Sequence, residues 1–240
     1  MKKAFSILYA DTEILAVDKP AGVLAVPDRW DPDVPVAREM LSEDFGRLLP
    51  VHRIDKDTTG VLVYARNERA HRELNERFAT RQVEKTYFAI VHGEPEGEAW
   101  EVELSLRADG DRDHRTIIDA SKGKPSKTRF EVVERFRGFA LVRALPETGR
   151  THQIRVHLAA SSLRIVADPL YGDGAPLMLS AVKRRWKGDA YEERPLMART
   201  ALHAARIAFQ HPTGGAMLEI EAPLPRDFRA TLAQLRKLRP

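Results

Sequence analysis

The sequence predicts an α+β protein with a mixed, largely antiparallel central sheet and flanking helices and loops. Short apolar segments with the alternation of strands outnumber helical patterns along the chain. Strands and helices do not alternate as they would in a doubly wound parallel fold. Glycine and proline fall between the apolar segments as turn residues, and no repeat or low-complexity linker interrupts the 240 residues. We therefore expect one domain over residues 1–240.

The first part of the chain predicts strands, a loop and one helix. Strand patterns cover residues 6–9, 14–19 and 60–65. A helix is predicted over residues 68–80, with Asn67 as its N-cap. Its apolar face carries Ala70, Leu74 and Phe78.

The rest of the chain is mostly strands. These are predicted over residues 86–92, 102–106, 127–134, 140–145, 206–210 and 217–221. An amphipathic helix follows over residues 227–238. The least regular stretch, residues 172–194, carries four basic residues at 183, 184, 185 and 187. We interpret it as an inserted basic loop or short helix.

The composition is compatible with a polyanionic partner but is not diagnostic of one. Lysine and arginine number 39 against 35 acidic residues, which gives a net charge of +4. Basic residues cluster at residues 122–129 and 183–187. Each cluster is equally typical of a solvated surface.

Several classes of site are excluded or disfavoured by the sequence. The chain has no cysteine, so disulfides, thiolate zinc sites and a cysteine nucleophile are excluded. His152 and His157 are five residues apart and lie on different faces of a helix or strand, so we expect no metal site. The start MKKAFSILYA imitates a signal peptide, but Asp11 and Glu13 interrupt its apolar run. No apolar stretch approaches the roughly 18 residues of a membrane span, so we expect a cytoplasmic protein.

The most informative stretch is residues 51–60, VHRIDKDTTG. It places one carboxylate, Asp55, among His52, Arg53 and Lys56. Neighbouring cations favour the ionised carboxylate, which is the form that acts as a nucleophile or a base. A solvated surface turn is the alternative, but the apolar residues on both sides predict a loop anchored to a sheet.

This stretch resembles the H-R-L-D-x-x-T-S-G signature of the RluA-type pseudouridine synthases, with Ile54 and Thr59 as mild departures. Other family landmarks follow in their usual order: Lys85 to Tyr87, Gly123 to Thr128, Thr148 to Leu158, Asp168 to Gly172, Leu202 to Ala204, and His211 with Pro212. The resemblance runs from about Ile7 to Pro225. Ala167 replaces a common glycine and places the local turn in question. Because the catalytic core begins within the first ten residues, we expect no separate N-terminal RNA-binding domain.

The resemblance implies isomerisation of uridine to pseudouridine in RNA, without cofactor or metal. It also implies a sheet with an RNA cleft across its middle. Asp55 is then the essential carboxylate. Three steps remain open for it: attack on the sugar, attack on the uracil ring, or removal of the C2′ proton.

The resemblance also assigns roles to other residues. Tyr87 would line the uracil pocket and move a proton when C5 loses one, and Arg155 would pair with Asp55 and orient it. A core tyrosine and a surface arginine are the ordinary alternatives. Because a stacked uridine must leave its helix to reach a buried carboxylate, Arg53 would help to extrude it. The further RNA-contacting candidates are His52, Arg150, Thr151 and His152, the last three at a predicted helix start.

The expected substrate is structured RNA, with 23S ribosomal RNA slightly favoured over transfer RNA. We expect a monomer with no membrane or obligate protein partner. Two other classes remain open. One is a catalytically silent RNA-binding or ribosome-assembly factor. The other is a nucleoside or glycoside hydrolase, which would need a second carboxylate such as Asp57 or Asp168.

Overall fold

The computed structural model describes residues 5–27, 33–183 and 185–237. The chain forms two compact units, each built from two stretches of sequence. Unit 1 comprises Met1–Thr86 and His203–Pro223, and unit 2 comprises Tyr87–Leu202 and Leu224–Pro240. Strands pair mostly antiparallel and helices are few, so the predicted α+β class is confirmed.

In chain order, the strands are β1 (Ser6–Ala10), β2 (Ile14–Lys19), β3 (Leu49–Pro50), β4 (Thr59–Ala65), β5 (Glu84–His92), β6 (Ala99–Arg107), β7 (Ile117–Ile118), β8 (Lys124–Phe136), β9 (Phe139–Pro146), β10 (Leu202–Gln210) and β11 (Met217–Glu221). The helices are α1 (Ala37–Phe45), α2 (Glu68–Ala79), α3 (Gln153–Ala160), α4 (Leu179–Val182) and α5 (Arg226–Arg236). No described helix is long and apolar enough to cross a membrane.

Unit 1 is a sheet in the order β1-β2-β4-β10, with β3 paired to β4 and β11 paired to β10. Its strands pair antiparallel except β4 and β10, which run parallel with Thr59 opposite His203. Successive side chains of a strand point to opposite faces, and two separate apolar clusters follow from that alternation. Val61 and Val63 pack with the buried face of α2, whereas Leu62 and Tyr64 pack with α1.

The two helices of unit 1 differ in how clearly the sequence predicts them. Helix α2 matches its prediction, and the side chain of Asn67 caps it by accepting a hydrogen bond from the N–H of Ala70 at 2.9 Å. Helix α1 was not predicted. It begins after Val36, whose side chain makes no capping hydrogen bond, and it buries only Ala37 and Leu41. A nine-residue helix with so few local signals is held by tertiary packing.

Unit 2 is an antiparallel sheet in the order β5-β9-β8-β6-β7. Helices α3 and α5 complete its core, burying Ile154 and Leu158 from α3 and Phe228, Leu232 and Leu235 from α5. Helix α5 ends at Arg236, and the predicted last residue, Leu238, lies outside the described residues.

The stretch 172–194 of unit 2 is mostly loop within its described residues. It contains the four-residue helix α4, and Leu177 pairs with Met197 at its base. Lys183, Arg185 and Lys187 are exposed there, whereas Arg184 lies outside the described residues.

Candidate active site

Asp55 lies in a short loop of unit 1 that connects β3 to β4. The loop turns tightly, because the carbonyl of Asp55 accepts a hydrogen bond from the N–H of Thr58 at 3.1 Å. Ile54 and Thr58 are buried, Asp55 is half-buried and Arg53 is exposed. The carboxylate therefore lies on a backbone whose neighbours are packed into the unit, as the flanking apolar residues predicted.

A buried lysine secures the start of this turn. The ammonium of Lys19, at the end of β2, donates to the carbonyls of Pro20, Val23 and Lys56 at 2.9, 2.8 and 2.8 Å. These acceptors replace the water that the buried charge has lost. The N–H of Gly22 also bonds the carbonyl of Lys56 at 3.0 Å. Residues 19–23 thus fix the peptide between Lys56 and Asp57, one residue beyond Asp55, a role that the sequence does not predict.

The other end of the loop is joined to β10. Nε2 of His203 lies 3.2 Å from the carbonyl of Ala222, which can only accept, so this nitrogen carries the proton. Nδ1 then accepts from the hydroxyl of Thr59 at 2.9 Å. The next residue after Thr59 must be glycine. Gly60 has a φ of 110°, and a Cβ at this position would lie 2.1 Å from the carbonyl oxygen of Ala204.

His52 is neutral near pH 7, in contrast to the expected positive charge beside Asp55. Its Nε2 accepts a hydrogen bond from the N–H of Val63 at 3.0 Å, and its ring stacks on Phe78. Burial, and secondarily the charge of Lys85, lower the pKa of His52 to about 3. Burial likewise lowers the pKa of Lys85 to about 8. Beside Asp55 in the sequence, Arg53 and Lys56 therefore supply the fixed positive charge.

In unit 2, Arg155 is buried and bound to Asp168. Its Nε and Nη2 donate to the two oxygens of the Asp168 carboxylate, each at 2.7 Å. The side chains are 7% and 1% exposed. Burial alone would raise the pKa of Asp168, but the bonds from Arg155 and from backbone N–H groups hold it below its usual value. This side-on pair is the strong bidentate form, and sequence analysis did not predict it.

His152 connects to the same place through Tyr171. Its Nδ1 lies 2.9 Å from the hydroxyl of Tyr171, which also accepts from the N–H of Thr116 at 2.8 Å. The ring of Tyr171 lies under the guanidinium of Arg155, with the Cζ atom 5.1 Å from the ring centroid. Burial raises the pKa of Tyr171, so its hydroxyl stays protonated.

Gln153 organises the segment where Arg150 and Thr151 lie. Its Oε1 accepts from the hydroxyl of Thr148 at 2.7 Å and from the N–H of Arg150 at 2.9 Å. Arg150 and Thr151 are half-buried, and Nε of Arg150 donates to the carbonyl of Pro125 at 3.2 Å. The predicted site residues of this stretch, Arg150, Thr151, His152 and Arg155, therefore lie just before α3 or in its first turn.

Tyr87 lies on β5 opposite Ala144 of β9. It is half-buried and packs on the apolar core of unit 2. Of the predicted site residues, unit 1 holds His52, Arg53 and Asp55, and unit 2 holds the others, including Tyr87.

The basic cluster at residues 122–129 is partly neutralised by acidic neighbours. Lys127 pairs with Glu101 at 3.0 Å and with Glu147 at 3.5 Å, and Arg129 pairs with Glu131 at 3.2 Å. Among the described residues, no group of three or more acidic or histidine side chains is placed to hold a metal ion.

His157 is a buried histidine whose two ring nitrogens are used within unit 2. The hydroxyl of Ser126 donates to the carbonyl of Leu104 at 2.6 Å and so accepts from Nε2 of His157 at 2.9 Å. Nδ1 of His157 pairs with the hydroxyl of Thr128 at 3.0 Å. Burial lowers the pKa of His157 to about 4, so it is neutral near pH 7.

The low pKa of His157 predicts a loss of stability on mild acidification. Its pKa in the unfolded chain is about 6.5, so below that pH the unfolded state binds a proton that the folded state rejects. The contribution of His157 is full above pH 6.5 and falls by up to about 1.4 kcal/mol per pH unit as the pH drops toward the folded pKa. Chemical denaturation between pH 7 and 5 measures this slope. His52, whose pKa is also lowered, adds to the same slope, so His157→Gln should reduce the slope without abolishing it. An unchanged slope would contradict the assignment.

Ala167, which immediately precedes the turn of residues 168–172, adopts the left-handed backbone conformation with a φ of 55°. That conformation costs a residue with a Cβ about 1–2 kcal/mol. Ala167→Gly is therefore expected to leave the thermal midpoint unchanged or to raise it slightly, since glycine removes the strain but loses a buried methyl group. Ala140→Gly is the matched control, because Ala140 is equally buried but lies in β9. The control should lower the midpoint, and an equal fall in both variants would show that Ala167 is unstrained.

Comparison with known proteins identifies relatives for nearly the whole chain. The family model described as RNA pseudouridylate synthase matches residues 13–160. Ribosomal large subunit pseudouridine synthase D of Xanthomonas campestris pv. campestris is 34% identical over 97% of this chain and 70% of its own length. Ribosomal large subunit pseudouridine synthase C of Escherichia coli is 36% identical over 97% of this chain and 70% of its own length. The solved structure of human RNA Pseudouridylate Synthase Domain Containing 4 superposes with a TM-score of 0.72 at 26% identity, covering 96% of this chain and 92% of that one.

Proposed function

The chain belongs to the RNA pseudouridylate synthase family, enzymes that isomerise uridine to pseudouridine, and on that basis we propose that it modifies ribosomal large-subunit RNA with Asp55 as its essential carboxylate. The names of its relatives from Xanthomonas campestris pv. campestris and Escherichia coli support this substrate. The observation that carries the assignment of Asp55 is its half-buried position on a turn anchored at both ends. We propose 23S ribosomal RNA over transfer RNA as the target.

The reaction breaks the bond from N1 of uracil to C1′ of ribose and forms a bond from C5 to C1′. The proton lost from C5 is balanced by the proton gained at N1, so nothing is oxidised and no external group is needed. Asp55 acts on the sugar or the ring while the base is detached. We propose that Tyr87 lines the uracil pocket and that its hydroxyl assists removal of the C5 proton.

Arg155 is proposed to orient the reacting carboxylate, and its pairing with Asp55 stays a prediction. A guanidinium suits the role because it is always charged and offers several N–H donors in one plane. Asp168 engages Nε and Nη2 of that plane. Its ion pair with Asp168 makes Arg155 a fixed group of unit 2, unlike an ordinary surface arginine.

RNA contacts are proposed for the exposed Arg53 and for the segment from Arg150 to His152. Arg53 precedes Asp55 by two residues and is free of the packing that holds Ile54, so it suits a role in extruding the uridine. His52 is neutral, so any RNA contact it makes is through hydrogen bonding or ring stacking and not through charge. We further propose that both units act as one catalytic domain in a monomeric, cytoplasmic enzyme.

Mapping of pseudouridine in total RNA from a deletion strain, compared with its parent, tests the proposal. A site lost from 23S ribosomal RNA and restored by the wild-type gene supports it, whereas a site lost from transfer RNA identifies the other substrate. No lost site in any RNA would favour a silent assembly factor. Release of free uracil by the purified protein would instead indicate a hydrolase.

A further inference from the structure

We propose that Asp168 is a positioning residue for the reaction: it fixes the plane of the Arg155 guanidinium and thereby the direction in which Arg155 acts. This inference rests on the proposed role of Arg155 in catalysis. Asp168 itself is fully buried, so it is assigned no contact with the uridine.

The carboxylate of Asp168 is held independently of Arg155. Its Oδ1 accepts from the N–H groups of Leu170 and Tyr171 at 2.9 and 3.2 Å. Its backbone carbonyl accepts from the N–H groups of Gly172 and Gly174 at 3.0 and 3.2 Å. The turn that begins at Asp168 therefore fixes the carboxylate of Asp168. That carboxylate then fixes the guanidinium of Arg155.

Two contacts define the orientation of the guanidinium. The side-on pair with Asp168 sets its rotation within the plane, through Nε and Nη2. The ring of Tyr171 covers one face, and the hydroxyl of that ring is itself held by Thr116 and His152. An arginine restrained both in its plane and on its face has few conformations left, which is the preorganisation that catalysis requires.

Stability alone gives a weaker account of this arrangement. A buried ion pair adds little net stability, because removing both charges from water costs about as much as their attraction returns. The chain contains a second side-on pair in unit 2 that serves for comparison. Arg199 donates through Nε and Nη2 to Asp227 at 2.8 and 3.0 Å, and Asp227 also accepts from the N–H of Phe228. The geometry is the same, but nothing in the proposed reaction uses Arg199.

The experiment compares Asp168→Asn with Asp227→Asn, using tritium release from RNA carrying uridine labelled at C5. We expect Asp168→Asn to lower kcat on the order of 10²-fold, the cost of a small misplacement of a reacting group, with little change in KM. Asp227→Asn should lower the thermal midpoint and leave kcat unchanged. Equal kcat for the two variants, with only their midpoints lowered, would overturn the inference.

A double-mutant cycle separates positioning from an independent effect. The Arg155→Lys variant has no planar guanidinium for Asp168 to orient. Adding Asp168→Asn to that variant should therefore lower kcat by a much smaller factor than it does in the wild type. If the decrease in kcat of the double variant equals the product of the decreases in the two single variants, Asp168 does not act through Arg155. If Arg155→Lys lowers kcat but Asp168→Asn does not, the inference fails while the proposed function stands. If neither variant lowers kcat, the proposed role of Arg155 is itself wrong.

Variants of Tyr171 keep the test decisive if Asp168→Asn does not fold. Tyr171→Leu removes the ring beneath the guanidinium but retains the ion pair, whereas Tyr171→Phe retains the ring. We expect kcat to fall more in Tyr171→Leu than in Tyr171→Phe. Equal kcat in both variants would contradict the restraint of Arg155 by its surroundings.

Discussion

Replacing Asp55 by asparagine is expected to abolish tritium release from RNA that carries uridine labelled at C5, with little change in RNA affinity. Asparagine has nearly the same shape, and the turn is held by its backbone bonds and by Lys19, so the loop should keep its structure. A neutral amide cannot serve as the nucleophile or the base. Loss of an essential catalytic group typically costs on the order of 10⁴-fold or more in turnover.

Asp57→Asn is the matched control for this substitution. Asp57 lies in the same turn, is also half-buried, and is one of the two candidates, with Asp168, for the second carboxylate that a hydrolase would need. We expect it to retain turnover. Full activity in Asp55→Asn would remove Asp55 from the mechanism. A parallel loss of RNA affinity in Asp55→Asn would show that the carboxylate holds the loop or the RNA and is not confined to chemistry.

The local features of the fold were predictable because local sequence determines them. Helix α2 needed only its apolar spacing and the cap at Asn67, and β4 needed only an unbroken apolar run. The loop around Asp55 was predictable for the same reason, since buried residues precede and follow it closely in sequence. Helix α1 has neither a side-chain cap nor a wide apolar face, so its presence depends on packing against residues distant in sequence.

The partners that secure the site were not predictable, because they are joined across long separations. Lys19 reaches the carbonyl of Lys56, which is 37 residues away. Thr59 and His203 are 144 residues apart. From the sequence, Asp168 is part of a family landmark and a possible second acid, but its partner Arg155 is not evident. The bonds from Arg155 and from backbone N–H groups lower the pKa of Asp168 against the effect of burial, and they form only in the folded chain.

The division into two units was hidden for a related reason. Each unit is completed by a later stretch of chain. No linker marks the residue where the chain passes into unit 2, Tyr87, or the residue where it re-enters unit 1, His203. The absence of a linker therefore favours one domain of 240 residues, and whether the two units behave as one domain stays a prediction. A single cooperative unfolding transition, seen by several probes, would support it.

Replacing Arg155 by alanine is expected to damage stability as well as turnover. The substitution leaves the carboxylate of Asp168 buried without its cation, which typically costs about 3–5 kcal/mol. Arg199→Ala is the control, because its partner Asp227 is 36% exposed and can be solvated. Thermal unfolding should therefore show a much larger fall in midpoint for Arg155→Ala than for Arg199→Ala.

Arg155→Lys separates the structural contribution from the catalytic one. Lysine keeps a positive charge near Asp168 but replaces a planar fork by a single ammonium, so the bidentate geometry is lost. We expect a folded protein whose turnover is on the order of 10²-fold lower, with RNA affinity little changed. If that variant turned over normally but bound RNA weakly, Arg155 would be a phosphate contact. Normal turnover and normal affinity together would leave the guanidinium with a structural role alone, because Asp168 needs only a buried cation to remain ionised.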